Sequence, residues 1–288
     1  MTDDLTIAIG TYPHTKPLKE GRVRSDLFSL EFAEILPVNR AFAPMVRELR
    51  FDVSEMAIAT YLQAKAFGVG ITLLPITVVA RFQQSALLCR ADSPLRGPGD
   101  LKGRRVGVRS YSQTTGLWLR GILAGEFGVR AEDIRWITFE GAHVAEVQDP
   151  AWVRRAPEGA SLLAMLRDGS LDAVIMGNDL PDSSEFRPVF PDAAAASAVF
   201  FQRHGFVPVN HLLTVRRDLA DTRPDVVVGL MRLFRMAFDG VPNLPMGRAT
   251  LAPAVALAIR YAAAQGLLSR EVAPDEVWTG LPEDAVFG

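Results

Sequence analysis

The side chains best suited to chemistry in this chain gather in the segment DLKGRRVGVRSYSQTTGLWLRG, residues 100–121. It opens on a charged turn and continues as a short apolar strand at 105–108, with Val106 and Val108 on one face. A polar loop at 109–115 then leads into a helix over about 116–124. The first N–H groups of a helix have no intrahelical acceptor, and a loop of Ser, Gln and Thr sets further donors beside them. Arg109 adds a fixed positive charge. Arg109, Ser110, Tyr111, Gln113, Thr114 and Thr115 are therefore the parts from which a chain would build a seat for a carboxylate. The plainer reading is a solvated loop whose threonines only cap the helix.

Other candidates rest on residue type and position. Histidine changes charge near neutral pH, and His211 ends the run Pro208-Val209-Asn210-His211. His14 lies in the polar loop after the first strand, a common place for ligand contacts in doubly wound folds and equally the place of an exposed histidine. Asn178 and Asp179 close an apolar strand at 171–176 and could reach a cleft, although Asn-Asp more often forms a turn. His143 and His204 have no support beyond residue type. There is no HxxxH, HExxH or CxxC spacing, so no metal site is predicted, a divalent ion being left open. No P-loop is present and no GxGxxG follows a strand, so no nucleotide is implied, and the lack of GxSxG argues against a standard α/β hydrolase. The single cysteine, Cys89, sits in an apolar run and reads as a small buried hydrophobe.

These residues need a scaffold, and 288 residues suffice for one large domain or two lobes. Hydrophobic residues make up 49% and charged residues 22%, as in ordinary globular chains. With 31 basic and 33 acidic residues the net charge of −2 gives no drive toward nucleic acid or acidic membranes. No apolar run approaches a membrane span. The start MTDDLTIAIG reads as a first strand rather than a secretory leader, so a cytoplasmic location is expected. Strands at 5–10, 105–108, 134–139 and 171–176 alternate with helices at 41–49, 116–127 and 159–167, which argues for an α/β fold with parallel sheets. Ser54 is predicted to N-cap a helix over 55–66. A strand-like run at 68–79 is predicted to break at Pro75. Helices are also predicted at 224–238 and 251–265. Crossings near 85–90 and 206–215 read as hinge strands between lobe one, 1–85 with 208–288, and lobe two, 86–207. Strand carboxyl ends from both lobes would face one cleft.

The turn and strand at 100–108 resemble the DLKGkrVgV pattern of the type II periplasmic-binding-protein fold. Three segments narrow the resemblance: FDVSEMAIATYL (51–62), GVRSYSQTTGLWLRGIL (107–123) and VPVNHLLTVRRDL (207–219). In order and spacing they are similar to the 4,5-dihydroxyphthalate decarboxylase family, and they reach over most of the chain. The resemblance implies a two-lobed type II periplasmic-binding-protein-like fold with two hinge strands and a central cleft. It also implies a carboxy-lyase acting on a hydroxylated aromatic acid, 4,5-dihydroxyphthalate or a relative. Each carboxyl of that compound has a para hydroxyl able to push electrons into the ring, so the reaction needs no organic cofactor. It needs an acid near neutral pKa, a group to polarise the phenol, and cations to orient carboxylates.

On this resemblance His211 is expected to be the acid and Glu55 the group that polarises a hydroxyl, with Ser54 either capping a helix or touching the ligand. The family commonly carries Arg-Phe-Arg-His-Ser before the first crossing, where this chain has Arg81-Phe82-Gln83-Gln84-Ser85. Arg81 remains as a carboxylate contact. Gln83 and Gln84 cannot supply a bidentate cation, so a substrate with one carboxylate or an amide competes with the diacid. The expected partner is a small aromatic carboxylate, and self-association into a homo-oligomer is left open. A binding cleft need not catalyse, so a solute-binding protein or sensor for an aromatic carboxylate is the competing reading. Another enzyme on the same scaffold, as in menaquinone or thiamine-precursor synthesis, is a third.

Overall fold

The structure, a computed structural model, describes residues 3–177 and 180–283. Its strands are β1 (Asp3–Ala8), β2 (Phe28–Phe32), β3 (Val53–Ala57), β4 (Ile71–Ala80), β5 (Leu87–Arg90), β6 (Arg105–Val108), β7 (Arg135–Thr138), β8 (Val153–Arg155), β9 (Ala173–Ile175), β10 (Phe186–Pro188) and β11 (Val209–Arg216). Its helices are α1 (Lys16–Lys19), α2 (Phe42–Glu48), α3 (Ile58–Ala66), α4 (Thr114–Phe127), α5 (Leu162–Arg167), α6 (Ala193–His204), α7 (Arg217–Thr222), α8 (Pro224–Ala237) and α9 (Arg248–Ala264).

Two sheets result, in strand order β2-β1-β3-β11-β4 and β10-β5-β9-β6-β7-β8. In the first, β1 runs parallel to β2 and β3, and β11 lies antiparallel between β3 and β4. In the second, β6 runs parallel to β7 and β9, while β5 is antiparallel to β9 and β10. The chain leaves the first sheet after β4 and enters the second as β5, then returns to the first as β11. The strand that follows each crossing runs against its neighbours. Strands covered on both faces carry continuous apolar or small residues, and every residue of β3 and β9 is buried.

Two local expectations are corrected. Ser54 caps no helix: it lies in β3, and α3 begins only at Ile58 with Ala57 at its N-cap. Pairing with β1 on one side and β11 on the other satisfies the backbone of 53–57, which outweighs the local preference of Ser-Glu for a helix start. Pro75 does not end its strand. β4 is an edge strand that runs through it, and the ladder to β11 slips between Thr77 and Leu74, where a proline without an N–H is tolerated. The alanine-rich stretch at 193–196 begins α6, with Asp192 accepting the Ala195 N–H at 2.8 Å. That cap was readable in the sequence.

The amphipathic α8 buries Val226, Val227, Leu230, Met231 and Phe234 against the first sheet. α9 lies against α3 and α4, and Tyr261 closes over Gly121 so tightly that a Cβ there would come 2.0 Å from the ring. Trp118 faces inward and donates to the Val209 carbonyl at 2.8 Å. Arg120 is also buried, its guanidinium 4.0 Å from the Tyr111 ring centre, donating to Gln265 Oε1 at 2.7 Å and to the Tyr111 carbonyl at 2.6 Å. Burial pushes its pKa down to about 10. Among the described residues no helix is long and apolar enough to cross a membrane.

Candidate active site

A cavity of about 440 Å³ draws its walls from both sheets, from the loop that enters α4 and from both crossings. On its first-sheet side, β3 and β11 pair so that Ala57 stands opposite His211 and Glu55 opposite Leu213. Residues two apart on a strand share a face, so Glu55 and His211 are diagonal neighbours on one face. Their side chains meet, with His211 Nδ1 2.6 Å from Glu55 Oε1. Glu55 is fully buried behind the cavity wall. It also accepts the Gly10 N–H at 2.8 Å through Oε2 and the Tyr12 hydroxyl at 2.8 Å through Oε1. Burial, reinforced by the Glu55 charge, drives the Tyr12 phenol far above its ordinary range, so Tyr12 remains a donor. A carboxylate can only accept, which places a proton on His211 Nδ1 and leaves Nε2 for the cavity. The imidazole thus stands beside a fixed buried carboxylate.

Another part of the lining gathers hydrogen-bond donors and a cation. Gln113 is the N-cap of α4, and Thr114 and Thr115 form its first turn, two residues earlier than the sequence suggested. All three line the cavity, where the first N–H groups of a 14-residue helix are free of intrahelical bonds. Arg81, on the first crossing, donates through Nη2 to Thr115 Oγ1 at 3.0 Å and to the Gly177 carbonyl at 3.2 Å. Both partners are neutral, and Arg81 forms no ion pair with a described residue. Among the described residues its Nε and the Gln113 Oε1 are buried without partners. Burial pulls the Arg81 guanidinium below its ordinary pKa, as expected of a cation waiting for an anion. Arg109 also lines the cavity but is paired with Glu140 at 2.6 Å.

Several sequence candidates lie elsewhere. Ser54 points to the other face of β3 from Glu55, because successive strand residues alternate, and it donates to the Glu55 carbonyl at 2.8 Å. Tyr111 is buried behind the loop, donating to the Gln265 carbonyl and accepting from Trp152, both at 3.0 Å. Ser110 is tied to Ser112 at 2.9 Å and to the Gly141 carbonyl at 3.1 Å and does not line the cavity. His14 stacks on Tyr12 and bonds the Val78 carbonyl at 3.1 Å, away from the cavity. Asn178 and Asp179 lie outside the described residues. Gln83 and Gln84 do not line the cavity either. Gln83 donates to Asn210 Oδ1 and the Arg81 carbonyl, each at 2.6 Å, and Gln84 accepts from Ser197 at 3.0 Å. They brace the crossing rather than face a ligand.

Many lining residues were not singled out from sequence, among them Asn210 and His143. Asn210 and His211 are neighbours on β11, yet both reach the cavity because the ladder to β4 is irregular between Val209 and Leu212. His143 arrives on the loop after β7 and sits 2.8 Å from Thr60 Oγ1 through Nδ1. Burial, with Arg109, Arg47 and His211 nearby, pulls its pKa down to about 4. Nothing in the local sequence marks it. Among the described residues no cluster of three or more His, Cys, Asp or Glu could hold a metal ion.

No family model matches the chain. It is 31% identical over 253 residues to the 4,5-dihydroxyphthalate decarboxylase of Comamonas testosteroni, covering 80% of this chain and 73% of that protein. It is 31% identical over 186 residues to the enzyme of the same name from Pseudomonas putida, covering 60% and 69%. Among solved structures it resembles the desulfurization enzyme DszB, with a TM-score of 0.55 at 15% identity over 98% of this chain and 97% of that one. It also resembles the periplasmic aliphatic sulphonate binding protein SsuA of Escherichia coli, with a TM-score of 0.51 at 17% identity over 99% and 84%. These likenesses bear out the type II periplasmic-binding-protein-like fold that the sequence implied. With that fold and those relatives, the chain belongs to the 4,5-dihydroxyphthalate decarboxylase family.

Proposed function

We propose that this protein is a carboxy-lyase that removes CO₂ from a hydroxylated aromatic acid, 4,5-dihydroxyphthalate or a relative. The observation that carries the reading is the His211–Glu55 pair opening onto a cavity that Arg81 and the N-terminus of α4 also line. One substrate carboxylate sits against Arg81, Thr115 and the free N–H groups of the helix. The other carboxylate stands over His211. The imidazolium passes its Nε2 proton to the ring carbon bearing that carboxylate, while Glu55 holds the charge at Nδ1. The carbon–carboxyl bond then breaks, CO₂ departs, and the electron pair returns to the ring and the para oxygen. One proton replaces one carboxylate, which leaves 3,4-dihydroxybenzoate from 4,5-dihydroxyphthalate. The substrate's own ring is the electron sink, so no organic cofactor enters the scheme.

In this reading residues 1–85 and 208–288 form one lobe and 86–207 the other, and the ligand lies where they meet. The reading also carries a cytoplasmic location, which cell fractionation tests. The activity is tested by incubating the protein with 4,5-dihydroxyphthalate, with and without divalent metal, and following CO₂ and 3,4-dihydroxybenzoate by mass spectrometry. Product from the native protein and none from a folded His211→Ala variant is expected. Tight binding with no product after long incubation would replace the enzyme by a binding protein or sensor.

A further inference from the structure

We propose that His143 is a second catalytic histidine, donating its Nε2–H to the phenolic oxygen para to the departing carboxylate, and that Thr60 positions it by fixing its tautomer. The proposal rests on the decarboxylase reading above and assigns to it a residue that neither motif nor resemblance marked.

The first support is spacing. The Phe42 ring meets His211 edge-on at 5.3 Å and His143 edge-on at 5.5 Å between ring centres. The two imidazole centres are therefore within about 11 Å of each other, those two steps laid end to end. Both imidazoles line the same cavity. That ceiling on their separation leaves room for one benzene ring between them with a hydrogen-bond length of about 3 Å at each end. A ring carbon and its para oxygen are the two reacting points of such a ring, and they lie on opposite sides of it.

The second support is the tautomer. Thr60 is fully buried, and its hydroxyl has one hydrogen-bond partner among the described residues, His143 Nδ1 at 2.8 Å. A buried hydroxyl is best satisfied by giving its proton to an acceptor, which makes Thr60 the donor and Nδ1 the acceptor in this reading. The ring proton is then on Nε2, which bonds no described residue and belongs to an imidazole that lines the cavity. The third support is anchorage. Arg47 of α2 donates to the His143 carbonyl at 2.6 Å and to the Ala142 carbonyl at 3.1 Å, so it holds the loop from the second sheet against the first. Arg47, Arg109 and His211 all face His143 and keep it neutral. A neutral N–H donor is suited to an oxygen that becomes anionic in the reaction.

The chemistry balances without a proton from His143. The para hydroxyl first gives its proton to solvent, and the phenolate pushes an electron pair into the ring as His211 supplies the proton that ends on carbon. When the carbon–carboxyl bond breaks, its electron pair returns through the ring to the para oxygen, where the Nε2–H meets the re-forming phenolate. Solvent then returns the proton lost at the start. Removal of one such donor costs about 10²- to 10³-fold in turnover.

The test uses the full chain turning over 4,5-dihydroxyphthalate. His143→Leu should lose about 10²- to 10³-fold in kcat. Thr60→Val, which keeps the shape but not the hydroxyl, should lose at least about tenfold in kcat with little change in KM, and Thr60→Ser should restore it. Nitrogen-15 spectra of the native protein should show the His143 proton on Nε2 and a mixture of tautomers in Thr60→Val. A native protein that releases no CO₂ overturns the decarboxylase reading itself. A native protein that turns over, with kcat within threefold in either His143→Leu or Thr60→Val, overturns the role of His143. So does a spectrum with the proton on Nδ1.

Discussion

Replacing Glu55 by Gln tests the centre of the mechanism, because it removes a charge and changes almost no volume. Glu55 accepts three donors: the Gly10 N–H, the Tyr12 hydroxyl and His211 Nδ1–H. A glutamine has one acceptor oxygen. The Gly10 N–H cannot turn away, so the amide oxygen must stay with it and the amide nitrogen must occupy the Oε1 position. There it faces Tyr12, whose hydroxyl can rotate to accept, and His211, which must move its proton to Nε2 to accept as well. The result is a neutral imidazole with no anion behind it. An imidazolium and a carboxylate with charge centres about 4 Å apart attract by about 4 kcal/mol at an effective dielectric constant of about 20. At about 1.4 kcal/mol per decade of rate, losing that attraction is worth roughly three decades. Glu55→Gln should therefore lower kcat/KM for 4,5-dihydroxyphthalate about 10³-fold at neutral pH. The hydrogen-bond changes should cost only about 1–3 kcal/mol of stability, so thermal melting followed by circular dichroism should still show a cooperative folded state. Turnover of a folded Glu55→Gln within about threefold of the native protein would refute the acid role of the pair.

Three further outcomes follow from other parts of the molecule. Arg81→Met removes the cavity cation whose protein partners are neutral. Charged hydrogen bonds are worth about 1.5–3 kcal/mol, so KM should rise roughly ten- to hundredfold, and an unchanged KM would remove Arg81 from the carboxylate seat. Gly121→Ala drives a methyl into Tyr261 and should cost about 1–3 kcal/mol in urea denaturation. Gly125→Ala, four residues on, meets only the Tyr261 hydroxyl at 4.0 Å and should gain about 0.5–1 kcal/mol. If both substitutions behaved alike, the packing of α9 on α4 would be misread. His143 is neutral in both folded and unfolded chains above its ordinary pKa of 6.5. Between pH 6.5 and about 4 only the unfolded chain takes up its proton, so stability falls with pH by about 3 kcal/mol across that window. His143→Gln should flatten the stability profile by that amount, and a profile parallel to the native one would count against a buried neutral imidazole.

Much of the scaffold was legible because local signals and tertiary pairing agree. Val106 and Val108 alternate as a strand should, and β6 occupies the expected residues. The apolar period over 224–238 gave α8, with Pro224 in its first turn. Signals failed where another part of the chain claimed the same backbone. Ser54-Glu55 reads locally as a helix start, but β1 and β11 recruit it as a central strand. That change of element separates the pair: on a helix start both could have faced a ligand, whereas on a strand only Glu55 shares a face with His211. Tyr111 sat in a promising loop, yet its ring is held by Arg120 and its hydroxyl by Gln265, 154 residues later in the chain. His143 carried no local pattern, and its partners Thr60 and Arg47 come from distant segments.

By itself the sequence determined the residue types and the periodicities: a donor-rich helix entry, a titratable imidazole on a returning strand, and alternating strands and helices that commit the chain to an α/β fold. Those are short-range properties, set by side-chain chemistry and by the repeat of strand and helix. The tertiary structure alone decided which side chains meet. The register of β11 on β3 brought His211 onto Glu55, and the folding back of the loop after β7 brought His143 across from it. Such contacts join residues 83 to 156 positions apart, and strand register and loop closure, which local pattern does not encode, fix them.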